Sequence, residues 1–306
     1  MGAAGIRAGR LSDWRIENLS LVGNGWVGWE GDIDGNDSNS GLLTFSHWTV
    51  AWNGCVESYP PGEMLGCWAQ PAGGYGDGLG TGETGGHWII EDATFMYNTS
   101  DGLDLLYGNE DISIEIYRSW FEGNAGNQLK TSGPLILENS LLIGNCSFFE
   151  GKAFTTSGAV DHCRATGVAL SVVINDQQNA RIINNTFTGE GDCLIVPECE
   201  PGQPDVIQQG ELVCLVYEES FQTDPFDMDF SLIAEVKDDI CPGPNDLCLN
   251  VLGLTSIEVD NFNPQLTENS PAIDAGLWDV CPTQDYWGNP RPQGTGCDIG
   301  AHEWTP

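Results

Sequence analysis

Short apolar segments that end in a polar turn recur through the first 196 residues of the chain. An asparagine ends each of six such segments, and an apolar residue stands three positions before it. The asparagines are Asn24, Asn53, Asn98, Asn124, Asn145 and Asn185, and the apolar residues are Leu21, Val50, Phe95, Phe121, Leu142 and Ile182. One such coil cannot bury its apolar face, but stacked coils build a continuous core. The pattern predicts a β-solenoid whose asparagines hydrogen-bond from coil to coil.

A second, tighter register predicts which side chains share a surface. The apolar residues Leu79, Leu103, Leu129 and Phe154 follow one another at spacings of 24, 26 and 25 residues. Because neighbouring side chains in a strand point to opposite faces, an inward apolar column leaves its flanking residues facing solvent. The predicted outward columns are Asp77–Asp101–Asn127 and Gly80–Asp104–Lys130.

These registers predict an all-β fold, a single-stranded parallel β-helix. Residues 1–196 are expected to form its coils, with an inserted loop near 54–76. Residues 197–306 are expected to be a loop-rich continuation of the same domain and a disulfide-rich C-terminal cap. Segment 197–250 is rich in proline, acidic residues and cysteine. A cap is expected because an open terminal coil exposes core and strand edges.

The charge restricts the possible partners. With 45 acidic and 10 basic side chains the formal net charge is -35. Nucleic-acid binding needs a basic surface and is excluded. An anionic polymer would be repelled unless bound cations offset the field locally, whereas simple solubility or a halophilic setting would also explain the charge.

The eleven cysteines favour an oxidising compartment and hence a secreted, extracellular protein. Their spacing suggests four local disulfides and a weaker fifth, which would leave Cys214 free. The suggested pairs are Cys55–Cys67, Cys193–Cys199, Cys241–Cys248, Cys281–Cys297 and, as the fifth, Cys146–Cys163. No run is apolar enough to span a membrane. A signal-peptide pattern is absent, so the sequence is expected to begin after one or partway into a larger protein. We expect a monomer.

The carboxylates of the two outward columns point to a cation site. Adjacent coils lie roughly 4.8 Å apart, so Asp77, Asp101 and Asp104 should crowd together. Unpaired like charges at that distance are unfavourable. Calcium prefers carboxylate oxygens and would offset them.

Four short segments carry a resemblance to a known family. They are Gly-Asp-Gly-Leu-Gly (76–80), Asn-Thr-Ser-Asp-Gly-Leu-Asp (98–104), Gly-Asn-Gln-Leu-Lys (126–130) and Ile-Gly-Asn-Cys (143–146). Together they resemble the pectate lyases of polysaccharide lyase family nine, which are right-handed parallel β-helices. The resemblance implies that Asp77, Asp101 and Asp104 bind calcium and that Lys130 is the catalytic base. Ser100 departs from it, because it stands where the family has the first aspartate of a pair.

The C-terminal segment has a separate likeness. Asn-Pro-Gln-Leu (263–266), Ser-Pro-Ala-Ile-Asp-Ala-Gly (270–276) and Cys-Asp-Ile-Gly-Ala-His-Glu (297–303) look like the closing segment of many secreted bacterial β-helix proteins. This likeness supports the fold and secretion, but it says little about chemistry.

The expected function is a calcium-dependent polysaccharide lyase that cleaves a uronate-containing polysaccharide by β-elimination with an alkaline optimum. Substrate contacts are expected from Tyr107, Arg118, Trp120 and Asn127. Aromatic residues also concentrate around the predicted loop, at Trp48, Trp52, Trp68, Tyr75 and Trp88.

Three alternatives stay open for the same residues. A non-catalytic carbohydrate-binding β-helix would use the aromatic residues as a platform and calcium as a structural clamp. A hydrolase would use paired aspartates, such as Asp101 and Asp104, as acid and base. In the third, Asp104 and Lys130 form only a structural ion pair.

Overall fold

The structure is a computed structural model of the 306-residue chain. It describes residues 4–33, 38–54, 76–145, 169–174, 178–188, 206–209, 213–217, 226–229, 231–234, 244–249, 251–258 and 261–306. Between 206 and 234 the description covers the backbone and Ser231.

Three sheets run along the described chain, and each coil contributes one strand to each sheet in turn. Sheet 1 contains β1 (Ile6–Arg7), β4 (Trp29–Glu30), β7 (Leu79–Gly80), β10 (Leu103–Leu105), β13 (Leu129–Ser132), β16 (Leu170–Ile174), β20 (Val213–Tyr217) and β19 (Val206–Gln209), in that order. Sheet 2 contains β2 (Arg15–Glu17), β5 (Leu42–Ser46), β8 (His87–Glu91), β11 (Ser113–Tyr117), β14 (Leu135–Glu138), β17 (Ala180–Ile183) and β21 (Phe226–Asp229). Sheet 3 contains β3 (Ser20–Val22), β6 (Thr49–Ala51), β9 (Thr94–Met96), β12 (Trp120–Glu122), β15 (Leu141–Ile143), β18 (Thr186–Thr188), β22 (Leu232–Ala234) and β23 (Leu247–Leu249).

The strand order confirms the predicted all-β parallel β-helix. Neighbouring strands in the three sheets pair in parallel, except for the antiparallel pair β19–β20. A separate antiparallel hairpin joins β24 (Leu254–Ser256) to β25 (Asn263–Leu266). In the described ranges the helical structure is confined to short 3-10 turns such as Trp278–Val280, and no helix there is long and apolar enough to cross a membrane.

The apolar column of sheet 1 is confirmed for three of its four predicted members. Leu79 pairs with Leu103, and Leu103 pairs with Leu129. The next partner of Leu129 is Leu170, so the prediction of Phe154 at this position was wrong. Phe154 itself lies outside the described residues. The apparent 25-residue spacing failed because the coil after β13 is longer than the two coils before it.

The asparagine ladder is confirmed over four coils. Asn24, Asn53 and Asn98 each donate their side-chain amide to the amide oxygen of the next asparagine, at 2.8 Å each time. The amide of Asn124 instead donates to Oε1 of Gln128 at 2.8 Å, and that glutamine is fully buried. Each buried amide therefore has a partner, which removes most of the penalty of burying it.

Two asparagines of the predicted ladder are placed differently. Asn145 follows its coil in the expected register, but its amide reaches Glu122 at 3.4 Å. Asn185 lies on another turn, between β17 and β18, where its side-chain oxygen accepts the backbone N–H of Ser140 at 2.9 Å. Its assignment to the ladder was wrong, because Leu142 pairs with Phe187 rather than Ile182.

Large aromatic side chains fill the core near the first coils. Trp29, Trp48 and Trp88 are each at most 2% exposed. Trp29 stacks on Trp48 with ring centroids 5.6 Å apart, and Phe45 packs against both Trp48 and Trp88. Of the aromatic residues predicted near the loop, Trp48 and Trp88 are therefore core residues. Trp68 and Tyr75 lie outside the described residues.

The C-terminal segment closes the core and also covers the outer face of sheet 3. Leu252, Leu266, Ala272 and Ile299 join the main apolar cluster. Ala301 packs on the outward side chains of β15, Leu141 and Ile143, which are fully buried.

One predicted disulfide of the C-terminal segment is confirmed. Cys281 and Cys297 are bonded, with their Cα atoms 5.7 Å apart. Cys248 is also disulfide-bonded. The remaining cysteines, with the side chain of Cys214, lie outside the described residues.

Candidate functional site

The outward column of sheet 1 is the one predicted from the sequence. Gly80 pairs with Asp104, and Asp104 pairs with Lys130. Glu30 precedes Gly80 in the same column, and Ser171 follows Lys130. The leucines that directly precede Gly80, Asp104 and Lys130 point into the core. Because side chains alternate along a β-strand, the residues that follow these leucines face outward.

The second column lies on the turn that enters sheet 1, and its members are joined by hydrogen bonds. The backbone N–H of Asp101 donates to Oδ1 of Asp77 at 2.9 Å. Oδ1 of Asp101 in turn accepts the backbone N–H of Asn127 at 2.6 Å and its side-chain amide at 3.0 Å. The predicted column Asp77–Asp101–Asn127 is thus a chain of contacts from coil to coil.

Glycines make this close stacking possible. A Cβ atom on Gly78 would lie 2.4 Å from the carbonyl oxygen of Gly102, and one on Gly126 would lie 2.2 Å from Oδ1 of Asp101. A Cβ on Gly80 would lie 2.8 Å from Oδ2 of Asp77. The recurring Asp-Gly pairs therefore combine an acidic turn residue with a backbone that the next coil can approach.

Lys130 joins the two columns. Its Nζ atom lies 3.0 Å from Oδ2 of Asp104 and 3.5 Å from Oδ2 of Asp101. The side chains are 22% exposed for Lys130, 14% for Asp104 and 11% for Asp101. We call Asp77, Asp101, Asp104 and Lys130 the acidic cluster. Limited solvent access strengthens the electrostatic interactions among its members.

Burial and mutual repulsion alter the titration of the carboxylates. Burial, followed by the charges of Asp101 and Asp104, raises the pKa of Asp77 to about 8, although a hydrogen bond from the Ser100 side chain opposes the shift. Burial and Asp101 raise the pKa of Asp104 to about 6, with Lys130 opposing. The raised pKa values of Asp77 and Asp104 indicate that the charge of one lysine does not balance three carboxylates.

The pKa of Lys130 is raised as well, but for a lysine this shift favours the charged form. Burial alone would lower the pKa of Lys130, but the charges of Asp101 and Asp104 outweigh it and raise the pKa above its ordinary value. The contacts with Asp101 and Asp104 therefore keep the Lys130 side chain protonated, as an ammonium group.

The donor atoms of the cluster suit calcium. Besides the carboxylates, the buried Oδ1 of Asn127 has no hydrogen-bond partner, although that residue is only 3% exposed. Carboxylate and amide oxygens are ligands that calcium prefers. Across the described ranges no three acidic, histidine or cysteine side chains already converge as a metal site, and in the cluster the Lys130 ammonium pairs with Asp101 and Asp104. The residues therefore fit the ion in chemistry, while the lysine competes for the same oxygens.

Of the four residues predicted to bind substrate, Asn127 alone contacts the acidic cluster in the hydrogen bonds and ion pairs described here. Tyr107 is 61% exposed, on the turn that follows β10. Arg118 lies between β11 and β12 and is paired with Asp92 at 2.8 Å. Trp120 belongs to sheet 3, where its ring packs edge-on against Tyr286.

Sequence reasoning did not foresee the role of Ser100. At 1% exposure, this serine hydrogen-bonds to Asp77 and opposes the rise of its pKa. A buried hydroxyl supplies a hydrogen bond without adding a fourth negative charge. The signal in the sequence was the departure itself, a small polar residue where the family motif has an acidic one.

Comparison of the chain with protein-family models, with curated proteins and with solved structures found no match. The fold is established by the three parallel sheets, and the likeness to family nine stays limited to the short segments around the acidic cluster.

Proposed function

We propose that this protein is a secreted, calcium-dependent lyase that cleaves a uronate-containing polysaccharide by β-elimination. The observation that carries the proposal is the position of Lys130, whose amino group lies within 3.5 Å of the carboxylates of Asp104 and Asp101 on the outward face of a parallel β-helix. A base next to a cation-binding set is what removal of a proton beside a substrate carboxylate requires.

Asp77, Asp101, Asp104 and the amide oxygen of Asn127 would hold the ion. Bound calcium would neutralise the substrate carboxylate and stabilise the negative charge that develops beside it. Asn127 also positions Asp101 through two hydrogen bonds to the same oxygen atom. Ser100 and the glycines at 78 and 80 keep Asp77 next to the other carboxylates.

Lys130 would take the proton on C5 of the uronate. The electron pair of that C–H bond forms the C4–C5 double bond, and the C4–O bond breaks so that the glycosidic oxygen leaves and gains a proton from solvent. The amine must be neutral to act, and its raised pKa places that state at alkaline pH. Activity should therefore increase as the pH rises.

Two substitutions of Lys130 test the base. Lys130→Ala removes the amine, whereas Lys130→Arg keeps a cation that does not deprotonate. Both should reduce the formation of unsaturated uronate products, followed by ultraviolet absorbance, by about 100-fold or more, the usual contribution of a general base.

Ser171→Ala changes the next outward residue of the same column and serves as the matched control, with unaltered rates expected. Calcium-dependent cleavage that survives in Lys130→Ala would overturn the assignment of the base.

A second candidate is a non-catalytic carbohydrate-binding β-helix. It is favoured by the ion pairs of Lys130 with Asp104 and Asp101, which keep the amine charged. Calcium-dependent retention of a polysaccharide, with no unsaturated product between pH 7 and 10, would support this candidate against the lyase.

A further inference from the structure

One turn position carries unusual residues on consecutive coils. Immediately after the strands of sheet 3, the backbone enters the left-handed region at Gly23, Trp52, Tyr97 and Gly123, with φ values of 72°, 58°, 55° and 62°. The strands before them are in register, since Val22 pairs with Ala51, and Met96 pairs with both Ala51 and Glu122. The four residues are therefore equivalent positions of one turn column.

The two aromatic residues are unfavourable choices for this backbone. Positive φ is readily adopted by glycine but costs free energy for a bulky side chain. Glycine is compatible with the turn, because the coils on either side use it. The turn between sheets 2 and 3 uses the same backbone at other non-glycine residues, such as His47 and Arg118, so the informative feature is the choice of two adjacent aromatic residues.

The rings of Trp52 and Tyr97 lie next to each other on successive coils and form a surface along the axis of the β-helix. Their centroids are 5.0 Å apart, with an interplanar angle of 42°, and Trp52 is 39% exposed. A Cβ atom on Gly123 would lie 2.7 Å from two carbons of the Tyr97 ring, so glycine on the next coil leaves room for that ring. The Tyr97 hydroxyl donates to Oε1 of Glu122 at 3.4 Å, which fixes one edge of the ring.

This pair lies on the same turn column as Asp77 and Asp101 of the acidic cluster. Tyr97 precedes Asp101 by four residues, and the chain between them spans at most about 14 Å. Trp52 is the equivalent residue one coil earlier. A polysaccharide bound at the cluster could therefore extend along the turn to the two rings.

We propose that Trp52 and Tyr97 form a sugar-stacking subsite for the pyranose rings of the polysaccharide bound at the acidic cluster. Aromatic faces stack on the apolar faces of sugar rings, and such contact does not depend on charge. Contacts of this kind add affinity for an anionic polymer, and the net charge of -35 does not oppose them. The inference depends on the proposed function only for the class of ligand, a polysaccharide.

Calorimetric titration of the 306-residue chain with calcium and hexasaccharides of galacturonate, guluronate and xylose tests the subsite. Trp52→Ala and Tyr97→Ala should each weaken binding of the best hexasaccharide by about tenfold or more. Tyr97→Phe keeps the ring and should bind within about threefold of wild type. Trp14→Ala is the matched control, since Trp14 is 45% exposed on the turn before β2, outside this column.

Glycine variants separate loss of binding from misfolding. Trp52→Gly and Tyr97→Gly relieve the positive-φ backbone, so both should keep a cooperative thermal transition while losing affinity. Unaltered affinity in both alanine variants would overturn the subsite, and so would the absence of hexasaccharide binding by the wild-type protein.

The subsite and the lyase fail in different ways. A Lys130→Ala protein that still cleaves would refute the proposed base and leave the binding results of Trp52 and Tyr97 valid. Equal binding by wild type, Trp52→Ala and Tyr97→Ala would refute the subsite whatever the rate of cleavage.

Discussion

The outer faces of sheet 1 and sheet 3 are built on the same coils and the same apolar core, yet the first is open to solvent and part of the second is covered by the C-terminal segment. Sheet 1 presents Glu30, Asp104 and Lys130 in one outward column. Sheet 3 presents Leu141 and Ile143, which the C-terminal segment buries. Stacking of the coils depends on the inward residues alone, so the outward residues are free to specify either a binding surface or an internal interface.

The ion pairs of the acidic cluster and of the C-terminal segment differ in solvent exposure. Lys130 contacts its carboxylates with 22% of its side chain exposed. On the C-terminal segment, the side chains of Arg291 and Glu303 form an ion pair at 3.0 Å with no exposed surface, and Arg291 also donates to the side-chain oxygen of Asn139 at 2.8 Å. The first arrangement stays accessible to solvent, whereas the second is buried, and its carboxylates also accept backbone N–H groups of the C-terminal segment.

The largest effect on stability is expected at the buried pair. Arg291→Met should lower the free energy of unfolding by about 3–5 kcal/mol, because it leaves Glu303 buried without its partner. Chemical denaturation followed by tryptophan fluorescence measures this change. A loss below about 1 kcal/mol would show that the C-terminal segment is not anchored through this pair.

The disulfide of the C-terminal segment should contribute nearly as much. The Cys281–Cys297 bond closes a loop with a sequence separation of 16 residues, and loops of this size stabilise by about 3 kcal/mol. The double variant Cys281→Ser/Cys297→Ser should lower the melting temperature accordingly. Its calcium-dependent activity at low temperature should be unaltered, since neither residue contacts the acidic cluster. Loss of that activity in the folded variant would contradict the separation of the two faces.

A substitution of Asp77 should have an intermediate effect on stability, and it should stabilise the protein where the preceding variants destabilise it. Its pKa is raised from 3.8 to about 8 in the folded protein, so the folded state binds more protons than the unfolded state between these values. Without calcium, the free energy of unfolding should therefore fall as the pH rises from about 4 to about 8. Asp77→Asn should reduce that fall and stabilise the calcium-free protein at pH 8 by about 1–2 kcal/mol.

Calcium should make the wild type more stable than Asp77→Asn, the reverse of their order without the ion. The wild type should gain thermal stability on addition of the ion, and Asp77→Asn should gain less. Equal gains would remove Asp77 from the proposed ligands. Chelation should return each protein to its calcium-free melting temperature.

The smallest effect is expected at an exposed ion pair of sheet 2. Arg15 pairs with Glu17 on β2, with 74% and 42% of their side chains exposed. Arg15→Met should alter the free energy of unfolding by less than about 1 kcal/mol. It is the control for Arg291→Met, since the residue type and the substitution are the same and only burial differs.

Sequence spacing predicted the acidic cluster because the relevant coils follow one another without interruption. Asp104 and Lys130 are 26 residues apart, one coil of the solenoid, and local alternation fixes which side of the strand each faces. The same reasoning failed at Phe154 and Asn185, where a longer coil shifted the register. Spacing alone reports neighbours only while the length of the coil is constant, and Asn53 and Asn98, 45 residues apart, were matched by their residue pattern instead.

The sequence by itself determined the parallel β-helix, the asparagine ladder up to Asn124 and the meeting of Asp104 with Lys130, because these features depend on local periodicity. The tertiary structure alone decided that Trp48 and Trp88 are buried and that sheet 3 is covered. Those outcomes depend on contacts between distant segments, such as Asn139 with Arg291, and periodicity within a coil does not encode them. The C-terminal segment packs on sheet 3 at Leu141 and Ile143, whereas the acidic cluster on sheet 1 keeps partial access to solvent.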